Sequence, residues 1–330
     1  MTLPLPIKMA QIDPNGLCNA GCWYCPVAYE KNPISANKPM SVETLESIVS
    51  QIKDGIGEFV SEDFHFVYTA HYNEVLLYPY FKEMIEVFKK YGFKTMVLTN
   101  GVALTPAKVD LIKENLDTVL GICLNVPAAD EENWAKFSGF PKTMFKKVIS
   151  NIQYAVKELP SLVASNSLSI QVNGINESSL PSNGGWMEPL ENAPEINLCN
   201  EGGDLDVAVT GFKSMFPGVY VYANQGLVDR AGYLLEKRVL SNTKAINTYN
   251  KKENTRVVGC SNMGGRAETW IHINAAGKVF ICCDDYNFET VFGDALVTPL
   301  KDIWMSPEHR EMIKTSYKTM CTSCSHAIWG

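Results

Sequence analysis

Cys18, Cys22 and Cys25 stand in one short run, Gly16-Leu-Cys18-Asn-Ala-Gly-Cys22-Trp-Tyr-Cys25-Pro26, directly after a predicted strand. Thiolates are preferred ligands for iron–sulfur clusters, and a compact loop lets three of them grip one cube. A [4Fe–4S] cube has four irons, so three local cysteines leave one iron open for a small molecule to chelate. Tetrahedral zinc also uses Cys-x2-Cys pairs, but it needs a fourth nearby ligand, and no histidine precedes His65. A second group, Cys260, Cys282, Cys283, Cys321 and Cys324, occupies the last quarter of the chain, and only Cys123 and Cys199 fall between. Ten cysteines in a secreted protein would suggest disulfides; in a reducing compartment they suggest metal or redox sites. The start, Met1–Lys8, lacks the apolar core of a signal peptide, and no run approaches the roughly 18 apolar residues that span a bilayer. The expectation is a cytoplasmic protein with no membrane attachment and two thiolate metal sites.

The elements that must position these residues follow from patterning. The chain has 330 residues, 46% of them hydrophobic, enough for one large domain with a small appendage. It carries 29 basic and 36 acidic side chains, a formal charge of -7, which argues against a nucleic-acid partner. Strands are predicted at Lys8–Asp13, Phe64–Tyr68, Thr95–Thr99, Val119–Leu124, Leu168–Val172 and Val219–Ala223. Amphipathic helical stretches alternate with them: Ser41–Ile56, Phe81–Tyr91, Pro106–Asn115, Thr143–Leu159 and Leu205–Phe216. Ser41 has the character of an N-cap and Gly92 that of a helix stop. Six strand–helix units fit an open α/β barrel better than a short doubly wound sheet, and in either fold ligands sit at the carboxyl ends of the strands. The stretch 174–204 breaks the rhythm. It is rich in Gly, Pro, Ser and Asn, holds Trp186, Glu188 and Cys199, and suits a binding lid and a surface insertion equally well. The polar stretch 241–253 marks a domain boundary. After it come a predicted hairpin, Trp270–Asn274 with Lys278–Cys283, and two short helices around Leu300–Met305 and Glu308–Lys314.

Cys18-x3-Cys22-x2-Cys25, with an aromatic residue before the last cysteine, resembles the signature of the radical SAM superfamily. The resemblance implies that the open iron binds S-adenosylmethionine (SAM), and that the reduced cluster cleaves it to a 5′-deoxyadenosyl radical that abstracts hydrogen from substrate. It also implies a partial (β/α)6 TIM-like barrel, residues 1–240, and an electron donor such as flavodoxin or ferredoxin. The family's Gly-Gly-Glu-Pro segment, which holds the SAM amino group, is matched by Ala70-His71-Tyr72-Asn73-Glu74-Val75-Leu76; Glu74 is kept while the glycines and proline are replaced. Thr99-Asn100-Gly101 matches the family's Thr-Asn-Gly turn. Asn125 stands where the family contacts ribose, and Asn173, with Gln171, ends the fifth strand. Asp229-Arg230-Ala231-Gly232 is similar to an Arg-Ala-Gly turn of related enzymes, with Arg230 a partner for a carboxylate.

The far end carries a second resemblance. Cys260, Gly277-x4-Cys282 and Cys321-x2-Cys324 are similar to the twitch, or shortened SPASM, domain that follows some radical SAM cores. It implies a small α+β iron–sulfur domain over residues 241–330, in which Cys260, Cys282, Cys321 and Cys324 ligate one auxiliary [4Fe–4S] cluster. A zinc ribbon on the same four cysteines is the alternative that spacing leaves open. Cys283 is a spare, used in packing or as an alternative ligand.

Cys123, inside an apolar strand, reads as a small buried hydrophobe that could deliver a hydrogen atom if it faced the barrel interior; Cys199 is the better candidate for such a donor. Three functions are compatible with these residues. The favoured one is oxidation of a small polar or sugar-like molecule, with the auxiliary cluster taking up the remaining electron. The second is a maturase that oxidises or cross-links a peptide side chain, for which an N-terminal recognition domain is expected and none precedes the cysteine loop. The third is an iron–sulfur electron-transfer protein without SAM chemistry.

Overall fold

The computed structural model describes residues 4–22, 25–28, 30–34, 38–173, 205–224, 230–231, 233, 255–262, 265–324 and 326–330. Cys199, Trp186, Glu188, Tyr24, and Asp229 and Gly232 of the Arg-Ala-Gly turn lie outside them. Six parallel strands follow the sequence pattern closely: β1 (Met9–Ile12), β2 (Val67–Tyr68), β3 (Thr95–Thr99), β4 (Val119–Asn125), β5 (Leu168–Asn173) and β6 (Tyr220–Asn224). β1 pairs with β2 in parallel, and β3-β4-β5-β6 form a parallel sheet in that order. A bridge between Phe66 and Lys94 joins the two groups, so the six strands run in sequence order as one curved α/β sheet. β2 is shorter than expected because the chain turns at Ser61–Phe64 before it pairs.

The helices lie where burial requires them. α1 (Val42–Asp54) starts at Ser41, whose Oγ accepts the Thr44 N–H at 3.2 Å, and buries Leu45, Ile48, Val49 and Ile52 on one face. α2 (Phe81–Tyr91) buries Phe81, Met84, Ile85, Val87 and Phe88 and stops at Gly92, whose φ of 76° is a left-handed cap. α3 (Pro106–Lys113), α5 (Phe145–Glu158) and α7 (Leu205–Met215) match predicted helices, while α4 (Glu131–Ser138) and α6 (Pro160–Ala164) were not anticipated. Alternate strand residues, among them Ala10, Ile12, Val67, Val97, Ile122, Leu124, Ile170 and Val172, are buried in the same hydrophobic core as these helices. The other strand face is therefore the inner one.

The C-terminal part does not stand alone. A three-stranded meander, β8 (Trp270–Ile273), β9 (Lys278–Phe280) and β10 (Val291–Asp294), joins the core sheet through a parallel pairing of β8 with β1, Met9 opposite Trp270 and Ile12 opposite Ile273. Leu300 N–H donates to Gln51 Oε1 at 2.8 Å, and Trp304 Nε1–H to the Leu5 carbonyl at 3.0 Å, so the helix Leu300–Trp304 is docked on the core. β7 (Val257–Cys260) pairs antiparallel with β11 (Ala327–Trp329), which sets Cys260 opposite Ala327. Among the described residues no helix is long and apolar enough to cross a membrane.

Candidate active site

The cysteine loop leaves the carboxyl end of β1 and is tied on three sides. Asn15 Oδ1 accepts the Leu17 N–H at 3.1 Å, and the Leu17 carbonyl accepts the Glu74 N–H at 2.8 Å. Gly21 N–H donates to the Ser138 carbonyl at 2.9 Å, and Cys25 N–H to the Cys22 carbonyl at 2.8 Å. Gly16 is required here, since a Cβ would lie 2.6 Å from the Ile34 carbonyl oxygen. Cys18 Sγ accepts the Ala20 N–H at 3.5 Å, and Cys18 lies within electrostatic reach of Cys25 and Glu74. Burial pushes the Cys18 thiol up to about 12 and raises Cys25 as well, with Arg230 opposing it there.

Glu74 is the centre of the arrangement. It is 1% exposed, its Oε1 accepts the Leu76 N–H at 3.2 Å, and its Oε2 accepts the Asn100 N–H at 2.9 Å. Burial outweighs these bonds and pushes the carboxyl up to about 7. Asn100 Nδ2 donates to Asn19 Oδ1 at 2.8 Å, so the Thr99-Asn100-Gly101 turn, Glu74 and the cysteine loop form one hydrogen-bonded unit. Thr99 Oγ1 accepts the Gly101 N–H at 3.1 Å, and Asn151 of α5 secures the Gly101 carbonyl at 2.9 Å. Asn173 Nδ2 donates to Asn125 Oδ1, which brings those two predicted residues together at the strand ends. Arg230 pairs with Asp284 at 3.4 Å, stands over the Tyr72 ring at 5.2 Å and lies within reach of Cys25.

The second cysteine group comes from three places in the fold. Cys260 ends β7, Cys282 follows β9, and Cys321 and Cys324 bracket the turn after the helix Pro307–Lys318, with Cys324 N–H on the Cys321 carbonyl at 3.2 Å. Cys260, Cys321 and Cys324 lie within mutual electrostatic reach, and burial pushes the Cys321 thiol up to about 12. Cys283 is not idle: Arg266 donates to its Sγ, and its carbonyl accepts from His71 Nε2. His71 Nδ1 also faces Asp13 Oδ2 at 3.2 Å; burial opposes a charge on the ring, but Asp13 and Cys283 together raise the imidazole above its ordinary range. Asp13, Arg266 and Asp284 carry no motif and were missed by sequence reasoning; only their tertiary contacts, with His71 58 positions away, Cys283 17 away and Arg230 54 away, reveal them.

These residues fit the groups that the cysteine spacing implies. No disulfide joins the cysteines of the described residues. Among the same residues no three His, Cys, Asp or Glu side chains converge tightly enough to hold one bare metal ion; a four-iron cube is larger and is gripped from corners farther apart. Glu74 makes no ion pair among the described residues, and three buried polar atoms at the same mouth, Asp13 Oδ1, Tyr72 OH and Arg230 Nε, lack a partner there. Buried polar atoms without partners cost free energy unless a ligand satisfies them.

A family model described as the radical SAM superfamily matches residues 12–181, and one described as an iron–sulfur cluster-binding domain, SPASM, matches residues 260–325. These domains bring with them SAM and a [4Fe–4S] cluster in the first and auxiliary iron–sulfur binding in the second. No curated protein sequence matches the chain. Many solved structures share its fold, among them the following three. The crystal structure of BtrN in complex with AdoMet and 2-DOIA is 14% identical, covers 98% of this chain and 94% of its own, and has a TM-score of 0.55. Streptococcus suis SuiB bound to precursor peptide SuiA is 14% identical over 98% and 70%, with a TM-score of 0.58. Native anSMEcpe with bound AdoMet is 15% identical over 97% and 88%, with a TM-score of 0.57.

Proposed function

The chain belongs to the radical SAM superfamily, and from that premise we propose that it abstracts a hydrogen atom from a C–H bond of a small polar or sugar-like molecule in an overall oxidation. Cys18, Cys22 and Cys25 hold the SAM-binding cluster in this reading, and Cys260, Cys282, Cys321 and Cys324 hold the auxiliary one. When bound, SAM on the first cluster supplies a hydrogen-abstracting 5′-deoxyadenosyl radical, and the auxiliary cluster supplies a one-electron acceptor.

The chain's own residues do the positioning. Glu74, buried and lifted to about 7, gains most from an ammonium beside it, which would restore its charge without exposing it to water. The Asn100 N–H aims one carboxylate oxygen and the Leu76 N–H the other, so the pair is oriented before SAM arrives. Asn125 and Asn173 offer amides to a ribose, Thr99 braces the turn, and Arg230 serves as a half-buried cation at the cluster's edge, near Cys25. The core spans residues 1–240 and the auxiliary domain 241–330, in the cytoplasm, served by a flavodoxin- or ferredoxin-type donor.

The observation that carries this reading is the single unit of Asn19, Glu74 and Asn100, which welds the cysteine loop to a cationic-ligand site. Anaerobic reconstitution followed by SAM and a low-potential reductant should yield 5′-deoxyadenosine. A fully loaded protein that forms none would overturn it. Deuterium arriving in 5′-deoxyadenosine from a labelled peptide instead of a labelled sugar would reassign the chain as a peptide maturase.

A further inference from the structure

The inner face of the sheet beyond the cysteine loop is lined in an unusual way. Register places Asn125 beside Gln171, Gln171 beside Tyr222 and Cys123 beside Ser169. All alternate with core residues such as Leu124, Ile170 and Val221, so they stand on the face away from the helices. They are joined to one another. Tyr222 O–H donates to Gln171 Oε1 at 2.8 Å, and Cys123 Sγ lies 3.7 Å from both of those oxygens. Gln171 Nε2 donates to Asn173 Oδ1 at 2.7 Å, and Asn173 passes the chain on to Asn125. Asn125, Gln171, Asn173 and Tyr222 are each only partly buried, so the ladder keeps a side open.

The interior of a parallel barrel is normally filled with bulky branched apolar side chains. Here three adjacent strands present amides, a phenol and a thiol, and β4, β5 and β6 contain no Asp, Glu, Lys, Arg or His at all. On the same face of β1, Gln11 is 4% exposed, and its Nε2 has no partner among the described residues. Among the described residues at the mouth, Arg230 is paired with Asp284 and Asp13 with His71, and Glu74 is the group given above to SAM. A phosphate or carboxylate set against this wall would give up water for dipoles alone, at a cost that only a counter-charge repays. Hydroxyls, which donate and accept, match an amide ladder without that cost. The ladder lies on a sheet face rather than an edge, so an extended peptide cannot add to it as a strand.

We propose that the Cys123, Gln171 and Tyr222 part of this ladder, beside the Asn125–Asn173 pair assigned above to the SAM ribose, is the substrate-binding wall and that it takes an uncharged, polyhydroxylated small molecule, a cyclitol or an unphosphorylated monosaccharide, with Gln171 and Tyr222 reading its hydroxyls. This rests on the hydrogen abstraction from a small polar or sugar-like molecule proposed above, and it adds both the charge of the substrate and the residues that select it. The Cys123 thiol stands in the same wall, kept protonated by burial.

The test is equilibrium binding to the cluster-reconstituted, SAM-loaded protein by calorimetry, with three probes: myo-inositol, myo-inositol 1-phosphate and N-acetyl-alanyl-alaninamide. Myo-inositol should bind at least tenfold more tightly than either of the others. Gln171→Leu should weaken it tenfold or more, and Tyr222→Phe, which keeps the ring and its stacking on Tyr220, about threefold. Iron content and circular dichroism establish that each variant is folded; Tyr222→Phe carries the test if Gln171→Leu does not fold. Tighter binding of the phosphate or the dipeptide, no binding of myo-inositol to the wild type, or an unchanged affinity in the folded variants overturns the assignment. Wild-type protein that makes 5′-deoxyadenosine yet fails these titrations sinks this inference alone, whereas absence of 5′-deoxyadenosine sinks the proposed function.

Discussion

Replacement of Glu74 by Gln removes a charge while keeping the side chain's shape. In the wild type each carboxylate oxygen takes one backbone N–H, Leu76 on Oε1 and Asn100 on Oε2. Gln offers one acceptor oxygen, so one of the two N–H groups loses its partner, at a cost of about 1–3 kcal/mol to the fold. The larger loss falls on the ligand. A hydrogen bond to a charged group contributes about 1.5–3 kcal/mol, so SAM should bind roughly 10–150-fold more weakly to Glu74→Gln. The pH profile separates charge from shape. With the carboxyl lifted to about 7, the group is mostly protonated at pH 6 and mostly ionised at pH 8. An ammonium ligand must displace that proton, so wild-type affinity should fall about tenfold from pH 8 to pH 6 and level off above. Glu74→Gln should show no such fall. Calorimetric titration of SAM into reconstituted protein at both pH values, with iron content matched, measures all of this. A Glu74→Gln variant within threefold of wild type, or a wild-type affinity that does not change with pH, would refute the assignment of Glu74 to the ammonium.

Other expectations concern the clusters and the fold. Cys321→Ala with Cys324→Ala should lower iron from about 8 to about 4 per reconstituted chain, read by iron analysis, whereas iron near 8 would move the auxiliary ligands elsewhere. Gly16→Ala sets a methyl against the Ile34 carbonyl and should cost about 1–3 kcal/mol of stability together with loading of the first cluster; denaturant titration and iron analysis check it. His309 is buried, stacks on Phe292 at 4.3 Å and donates Nδ1–H to the Trp304 carbonyl at 2.8 Å. Burial depresses its imidazole from 6.5 to about 4. Its folded value is the lower one, so its contribution is complete above pH 6.5 and is lost as pH falls towards 4, by about 2 kcal/mol between pH 7.5 and pH 5. His309→Phe should remove that part of the pH slope in denaturant titrations, and identical slopes in the two proteins would show that folding does not depress the His309 imidazole.

Much of the core was legible because its signals are local. The strand run Thr95–Thr99 and the helix Phe81–Tyr91 were read to the residue, since period-2 and period-3.6 patterns need no knowledge of partners. Glu74 and Asn100 were legible as positions after strands, although not as neighbours. α4 and α6 escaped because eight- and five-residue helices carry too few turns for a period to emerge. The predicted strand Lys278–Cys283 ends at Phe280 because Cys282 and Asp285 shape the turns that follow, the Asp284 N–H on Cys282 Sγ and the Thr290 N–H on Asp285. Polar residues at every second position of Ser169-x-Gln171-x-Asn173 were visible in the sequence, but which face they lined was not.

What the sequence by itself determined, then, was the chemistry of the first cluster site: three thiols within eight positions meet whatever the remainder of the chain does, because a loop that short cannot separate them. Tertiary structure alone decided the surroundings. It laid β8 along β1, and with it brought Cys283 to His71 and Asp284 to Arg230 across the gap between the two cysteine groups. It also turned Cys123, which reads as core, towards Gln171 and Tyr222. Contacts of that kind depend on crossover connections and strand register, which no local pattern encodes, and they are what make two cysteine motifs into one candidate active site.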